Sequence, residues 1–168
     1  MKIYTKGGDG GETGLPGRRL RKDDALVRAL GELDELNSNL GWARVVAPLA
    51  DPTLEAAQSI LLDLGADLAR GTSFQNPGFV ERLEAEIDSV SEGLPALTQF
   101  ILPGGTEAAA RLHLGRSVCR RAERSLVEYG AGPGAISALN RLSDWLFVMA
   151  RRENAAAGFA DRVWSKTC

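Results

Sequence analysis

Apolar side chains recur every three or four residues through most of the chain after position 22, which is the spacing of one face of an α-helix. The first such segment begins at Asp23 or Asp24, because either carboxylate can cap a helix, and it ends near Val46. Its apolar face is formed by Leu26, Leu30, Leu33, Leu36 and Leu40. The pattern therefore predicts a long amphipathic first helix.

Four further helices are predicted by the same spacing and by the residues that begin and end helices. The stretch "DPTLEAAQ" places a cap at Asp51 and a proline at the first helical position, and Gly71 can stop that helix after Arg70. The other three helices are expected at about 79–94, 106–129 and 135–156. With no hairpin or βαβ pattern in sight, the fold class predicted is all-α, a five-helix bundle in one domain over the whole chain.

The first 22 residues differ from the rest because they hold six glycines and a basic excess. They predict a short strand-like start at 2–5, followed by the glycine-rich loop "TKGGDGGETG". Successive backbone N–H groups in such a loop can cradle phosphate oxygens, and Thr5 and Lys6 would add a hydroxyl and a charge. The standard nucleotide-binding glycine patterns are absent, so a flexible N-terminal loop is the alternative interpretation.

Composition narrows the classes of function. The formal net charge of the 168 residues is −2, which argues against a general nucleic-acid binder and makes any anion-binding role local. A single histidine excludes a multi-histidine metal site. Cys119 is expected to be a small buried residue and Cys168 an unpaired thiol. Neither a signal core nor a run of ~18 apolar residues is present, so a soluble cytoplasmic protein that binds no membrane is expected.

A stripe of arginines follows the predicted fourth helix. Arg116, Arg120 and Arg124 are four residues apart and share a face with His113 and Glu123. Like charges at this spacing repel by a few tenths of a kcal/mol per pair. Guanidinium groups bind phosphate oxygens in pairs, so the stripe is typical of a polyanion site. A solvated surface with incidental charge is the alternative.

Polar residues interrupt two otherwise apolar helices. In "LGELDELNSNLG", Asp34, Asn37 and Gly41 share one face, and an arginine of the stripe could pair with Asp34. An ordinary interhelical polar pair explains them equally well. The fifth helix has a similar face, made of Asn140, Asp144, Phe147 and Arg151.

Phe100 precedes the helix-breaking turn in "FILPGG". This position allows its ring to project from the end of the bundle. A buried core phenylalanine is the alternative interpretation.

Taken together, several motifs occur in an order that resembles a known family. They are "YTKGGDGGETGL", "RKDD", "GELDELNSNLG", "FILPGG", "RSVCRRAER" and "LNRLSDWLFVMAR", and they span Tyr4 to about Arg152. The series resembles the trimeric ATP:cob(I)alamin adenosyltransferases. That resemblance implies a homotrimer with active sites between adjacent subunits, where the N-terminal loop of one subunit and the arginine helix of its neighbour hold ATP.

The resemblance also assigns residues. The ATP-binding positions that it implies are Thr5, Lys6, Gly7, Gly8, Thr13, Gly14, Lys22, Arg120, Arg121, Glu123, Arg124 and Asn140. Asp34 and Arg116 match a pair that bridges subunits, and Phe100 matches the aromatic residue beneath the corrin ring. Asp34, Phe100, Arg116 and Arg120 are the residues expected to act in catalysis.

The activity that the resemblance implies is transfer of the 5′-deoxyadenosyl group of ATP to the cobalt of reduced cobalamin, with release of triphosphate. Mg²⁺ would be held mostly by the phosphates, and no protein ligand for a metal is assigned. An adenosylcobalamin-dependent mutase and a cobalamin reductase are the expected protein partners. A non-catalytic corrinoid or nucleotide carrier on the same scaffold is the alternative, and a purely structural bundle is a third interpretation.

The glycine-rich loop departs from the family pattern. The family usually has Thr-Gly-Asp-Lys-Gly where this chain has Gly7-Gly8-Asp9-Gly10-Gly11, so a hydroxyl and an ammonium group are missing. The backbone N–H donors remain, and a phosphate-binding loop stays available. This change is what motivates the carrier alternative.

Overall fold

Five helices follow a small hairpin in the computed structural model, which describes residues 2–166. The elements are β1 (Glu12–Leu15), β2 (Arg18–Arg21), α1 (Ala25–Arg44), α2 (Asp51–Arg70), α3 (Pro77–Glu92), α4 (Glu107–Tyr129) and α5 (Pro133–Ala156). The predicted five-helix bundle is therefore confirmed. The prediction for Cys168 lies outside the described residues.

The N-terminal prediction was wrong in one respect. Residues 2–5 form no strand, and a hairpin that the sequence did not predict follows the glycine-rich loop. Strands β1 and β2 are antiparallel, with Leu15 opposite Arg18. Pro16 and Gly17 form the two-residue turn, and Gly17 has a φ of 74°, which glycine adopts without strain.

Local capping explains where most helices begin and end. Asp24 accepts a hydrogen bond from the backbone N–H of Leu26 at 2.8 Å and so begins α1. Gly71, with a left-handed φ of 77°, ends α2. Thr106 caps α4 through the N–H of Ala109 at 3.1 Å. Asp51 lies inside α2 rather than capping it, because the cap is Ala50.

The helices pack as a bundle around α4. Helix α4 lies between α1 and α5, while α2 packs on α1 and α3 packs on α5. Glu86 of α3 links three helices. Its carboxylate accepts hydrogen bonds from Thr53 of α2 at 2.8 Å and from the Trp145 indole of α5 at 2.8 Å. Within residues 2–166, no helix is long and apolar enough to cross a membrane.

Cys119 is fully buried in this core, as predicted. Its thiol donates to the backbone carbonyl of Leu139 at 3.2 Å. Burial raises the pKa of the Cys119 thiol far above its ordinary value. The residue is therefore a packing element rather than a nucleophile.

Candidate active site

A cavity of about 370 Å³ opens between the chain that joins α3 to α4 and the facing sides of α4 and α5. Its walls are of two kinds. One is apolar and includes Phe100, Ile101 and Phe147, and the other is cationic and includes Arg116 and Arg120. The cavity therefore places apolar side chains next to positive charge.

Phe100 projects from the bundle, and the core alternative was wrong, because the residue is 79% exposed. The C-terminal segment holds its backbone: the carbonyl of Phe100 accepts a hydrogen bond from the N–H of Trp164 at 2.8 Å, and Ile101 forms an antiparallel bridge with Val163. The Phe100 and Trp164 rings meet edge to face, with centroids 6.5 Å apart. These contacts give an exposed ring a defined place.

The arginine stripe lies at the edge of the buried face of α4. Arg116 is half-buried, whereas Arg120 and Arg124 are exposed. Among residues 2–166, none of the three forms an ion pair. The positive charge of the stripe is thus not neutralised by the described residues. Arg116 and Arg120 line the cavity, so their charge faces its opening.

Arg121 lies on another side of α4. Its guanidinium forms ion pairs with Glu32 at 2.5 Å and with Glu35, both on α1. These pairs raise the pKa of Arg121, first through the hydrogen bond to Glu32. In this chain Arg121 joins α4 to α1, and its contact with ATP stays a prediction.

Asp34 does not meet the stripe within one chain. The residues of α1 that reach α4 with their carboxylates are Glu32 and Glu35, one on each side of Asp34 in the sequence. Asp34 itself is exposed and faces away from that contact. The proposed pairing of Asp34 inside the chain is therefore corrected, and its pairing with Arg116 across subunits stays a prediction.

Glu123 and Asn140 do lie together. The Asn140 amide donates to Glu123 Oε1 at 3.1 Å and so links α5 to α4 one turn beyond Arg120. Glu123 forms no ion pair with the stripe among the described residues. Glu123 therefore lies beside the stripe, as the sequence predicted, and its partner within the described residues is Asn140. The contact of both residues with ATP, which the resemblance implies, stays a prediction.

The glycine-rich loop and the hairpin form one N-terminal unit. Arg19 of β2 donates to the carbonyl of Gly7 at 2.6 Å and to Glu12 at 3.2 Å, so the loop is folded onto the hairpin. A Cβ on Gly8 would lie 3.3 Å from the Lys22 ammonium nitrogen, which places these two predicted ATP-binding residues side by side. Lys6 has a left-handed φ of 59°, a conformation that residues other than glycine rarely adopt.

The hairpin contributes Thr13 and Gly14, which pair with Leu20 and Arg19 across the two strands. Thr5 accepts a hydrogen bond from the N–H of Gly7 at 3.4 Å. No hydrogen bond or ion pair of residues 2–166 joins this N-terminal unit to α4. One chain therefore contains both predicted parts of an ATP site without polar contacts between them.

His113 lies in the cavity wall, although sequence reasoning gave it no function beyond its place on the stripe. It is 4% exposed, and its Nδ1 has no hydrogen-bond partner in the described structure. Burial lowers the pKa of His113, the Arg116 charge lowers it further, and Asp161 opposes the shift. We expect a neutral imidazole at pH 7.

This shift predicts how acid destabilises the protein. The unfolded chain binds a proton at an ordinary histidine pKa of about 6.5, whereas folded His113 binds it at lower pH. Between the two values the unfolded state holds more protons, so the free energy of unfolding falls as the pH falls. The His113→Asn variant should lose this component, flattening the pH 7.5 to 5 profile by at most about 1.4 kcal/mol per pH unit. Urea titrations at several pH values measure it, and parallel profiles for both proteins would contradict it.

Comparisons with known proteins agree on one family. Residues 3–153 match the family described as cobalamin adenosyltransferase. The cobalamin adenosyltransferase of Cupriavidus metallidurans is 42% identical, with 98% of this chain and 95% of the relative covered. The corrinoid adenosyltransferase of Bacillus subtilis is 41% identical, with 99% and 94% covered.

A solved structure is similar over nearly the same range. It is a variant PduO-type ATP:corrinoid adenosyltransferase from Lactobacillus reuteri, complexed with cobalamin and ATP. The TM-score is 0.92 at 37% sequence identity, with 97% of this chain and 96% of that chain covered. The chain belongs to the cobalamin adenosyltransferase family.

Proposed function

We propose that this protein transfers the 5′-deoxyadenosyl group of ATP to the cobalt of reduced cobalamin, forming adenosylcobalamin and triphosphate. The observation that carries the proposal is the cavity of about 370 Å³, in which an exposed phenylalanine and other apolar side chains lie beside guanidinium groups that form no ion pair among the described residues. Family membership supports the same reaction, and the Lactobacillus reuteri structure is complexed with both substrates.

The arginine stripe supplies electrostatic stabilisation. The electron pair of Co(I) attacks C5′ of ATP, the cobalt–carbon bond forms, and the C5′–O bond breaks with its electrons on the departing triphosphate. Negative charge therefore grows on the leaving oxygen while no proton is required. Arg120 and Arg124, which are exposed and form no ion pair in the described part of the chain, are placed to bind that charge. The protein supplies charge and geometry, and cobalt supplies the nucleophile.

Phe100 controls the lower face of the corrin ring in this proposal. A phenyl ring held beneath cobalt excludes the lower axial ligand and favours four-coordinate cob(II)alamin, which accepts an electron more readily than the five-coordinate form. The exposure of Phe100 and its fixed backbone support this assignment. The reductant itself is an external protein, for which a cobalamin reductase remains the prediction.

The site is proposed to be completed by a second subunit in a homotrimer. The N-terminal unit and the stripe have no polar contact in one chain, and Arg116 has a buried Nε without a partner. An Asp34 carboxylate from the neighbouring subunit would satisfy that guanidinium. The same contact would bring the neighbour's glycine-rich loop toward the stripe.

Mg²⁺ is proposed as the ion that accompanies ATP. The described residues contain no group of three or more His, Cys, Asp or Glu side chains arranged to hold a metal. Of the carboxylates beside the stripe, Glu123 is bonded to Asn140 and Asp144 is paired with Arg141 at 2.8 Å. We therefore assign the ligands of Mg²⁺ to phosphate oxygens and water, where it would offset phosphate charge. The mutase partner and a cytoplasmic location stay predictions.

An anaerobic assay tests the activity directly. Purified protein given chemically reduced cobalamin, ATP and Mg²⁺ should form adenosylcobalamin and one triphosphate per turnover, measured by the absorbance of the product and by chromatography. A folded protein that binds both substrates without turnover would support the carrier alternative and reject the enzyme. Failure to bind either ligand would favour the structural bundle.

Arg120→Ala should reduce kcat by roughly 10²-fold or more, because it removes a donor aimed at the developing charge of the leaving group. Arg70→Ala is a suitable control, since Arg70 is an exposed arginine at the end of α2, away from the cavity. Steady-state kinetics of both variants provide the measurement. Equal, near-normal activity in both would contradict the role of Arg120.

Phe100→Ala should lower the reaction rate by different factors for cob(II)alamin and for cob(I)alamin. Its rate should fall strongly when the reaction starts from cob(II)alamin and a reductase, because the five-coordinate form is then no longer excluded. With pre-reduced cob(I)alamin, which carries no lower ligand, the loss should be much smaller. Equal losses in the two assays would remove Phe100 from this role.

A further inference from the structure

The chain that carries Phe100 has little structure of its own. It spans residues 93–106 between α3 and α4, and we call it the α3–α4 connection. It contains no helix and a single bridging residue, Ile101. A connection of this length without internal structure is held in place only by contacts from outside. The C-terminal segment binds its middle at Phe100 and Ile101, and the contacts at its two ends decide how that middle lies relative to α5.

Arg151 of α5 holds the start of the connection. Its side chain is 7% exposed. One arm donates to the backbone carbonyl of Pro95 at 2.6 Å, and its Nε donates to the Asp161 carboxylate at 2.8 Å. A buried guanidinium that is paired and hydrogen-bonded in this way has a single favourable position. The bond to Pro95 therefore ties the connection to α5 five residues before Phe100.

Asn154 of α5 holds the end of the connection. Its amide is buried, donates to the carbonyl of Gly104 at 2.9 Å and accepts from the N–H of Thr106 at 2.9 Å. A Cβ on Gly105 would clash with Asn154 Oδ1, because the backbone is packed directly against the amide. Gly105 also has a φ of 104°, which favours glycine. Asn154 thus binds the connection four residues after Phe100.

Arg151 and Asn154 belong to the same helix that forms one wall of the cavity. Arg151 and Asn154 are three residues apart and therefore lie one turn apart on the same side of α5. Phe147, one turn before Arg151, forms part of the cavity wall. One helix thus supplies both a wall of the cavity and the fixed points of the chain that carries Phe100.

We propose that Arg151 and Asn154 are positioning residues, which clamp the two ends of the α3–α4 connection to α5 and so hold Phe100 at the distance from the cavity that the cob(II)alamin reaction needs. The inference rests on the proposed role of Phe100. The clamp acts through Phe100, and neither Arg151 nor Asn154 touches substrate.

The test compares Arg151→Ala and Asn154→Ala with the matched control Glu153→Ala. Glu153 lies between them in the sequence and is as deeply buried, but its carboxylate accepts from the N–H of Leu49 and does not touch the connection. Each of the three substitutions should lower the melting temperature, because each removes a buried polar side chain and its hydrogen bonds. A merely structural role would therefore move the three variants together.

The distinguishing readout is the four-coordinate cob(II)alamin signature, measured by magnetic circular dichroism with ATP bound. The two clamp variants should lose this signature and about tenfold or more of the cob(II)alamin-dependent rate, since ~1 Å of misplacement costs up to 10²-fold. Their KM for ATP and their rate with cob(I)alamin should stay near wild type. Glu153→Ala should keep the signature.

A wild-type signature in folded Arg151→Ala and Asn154→Ala overturns the proposal. If Asn154→Ala does not fold, Asn154→Asp keeps the acceptor for Thr106 and replaces the donor to Gly104 with a charged oxygen that repels that carbonyl, and the same loss is expected from it. A wild-type protein that forms no four-coordinate species or no adenosylcobalamin would refute the role of Phe100 instead, and the clamp with it.

Discussion

The structure depends on α4, which fills the centre of the bundle and carries unpaired positive charge along its edge. Leu112, Cys119 and Leu126 are fully buried between α1 and α5. Burial of a large apolar side chain contributes about 1.5–3 kcal/mol, whereas like charges one turn apart cost a few tenths. The core therefore outweighs the repulsion and allows α4 to present guanidinium groups that no carboxylate of residues 2–166 neutralises. A polyanion that binds them would remove this cost and stabilise the fold.

Helix α5 holds the other parts of the site at fixed positions relative to the arginines of α4. Near its start Asn140 is bonded to Glu123 of α4, in the middle Phe147 lines the cavity, and near its end Arg151 and Asn154 bind the α3–α4 connection. These positions lie seven, four and three residues apart, which places them along one side of a single helix. The spacing between the anion-binding edge and the apolar wall is thus set by a rigid element rather than by loops.

The helices were predictable because their apolar spacing is a local signal. All five predicted helices lie within two residues of their observed ends. The hairpin was missed because β1 and β2 have only four residues each and three of the four residues of β2 are arginine, with only the Pro16–Gly17 turn as a signal. The cysteine in α4 could be assigned to the core, since the apolar seam at Leu112 and Leu126 passes through it.

The site was predictable only in part, because its contacts are made between residues that are far apart in the sequence. Neighbouring arginines 120 and 121 look alike in the sequence, yet Glu32, nearly ninety residues away, selects Arg121 for an ion pair and leaves Arg120 free. The sequence showed that Arg151 lies on the polar face of α5. Its contact with Pro95 could not be predicted, because the acceptor is a backbone carbonyl, which every residue carries. The resemblance to a family supplied positions for ATP and the corrin that spacing alone left open.

Buried polar atoms are hydrogen-bonded around Glu86 on the α3 side of the bundle and are incompletely paired at the cavity. On the α3 side, Glu86 is fully bonded, and hydrogen bonds from Arg82, Thr53 and Trp145 lower its pKa although desolvation opposes them. At the cavity, His113 Nδ1 and Arg116 Nε are buried without a partner. Buried polar atoms in a finished core are satisfied, since leaving one unpaired costs about 1–3 kcal/mol. Asn37 Oδ1 on α1 and Arg111 Nε on α4 also lack a partner among the described residues, so an unpaired atom alone does not mark the site. At the cavity, a ligand or a second subunit would supply the partners that His113 and Arg116 lack.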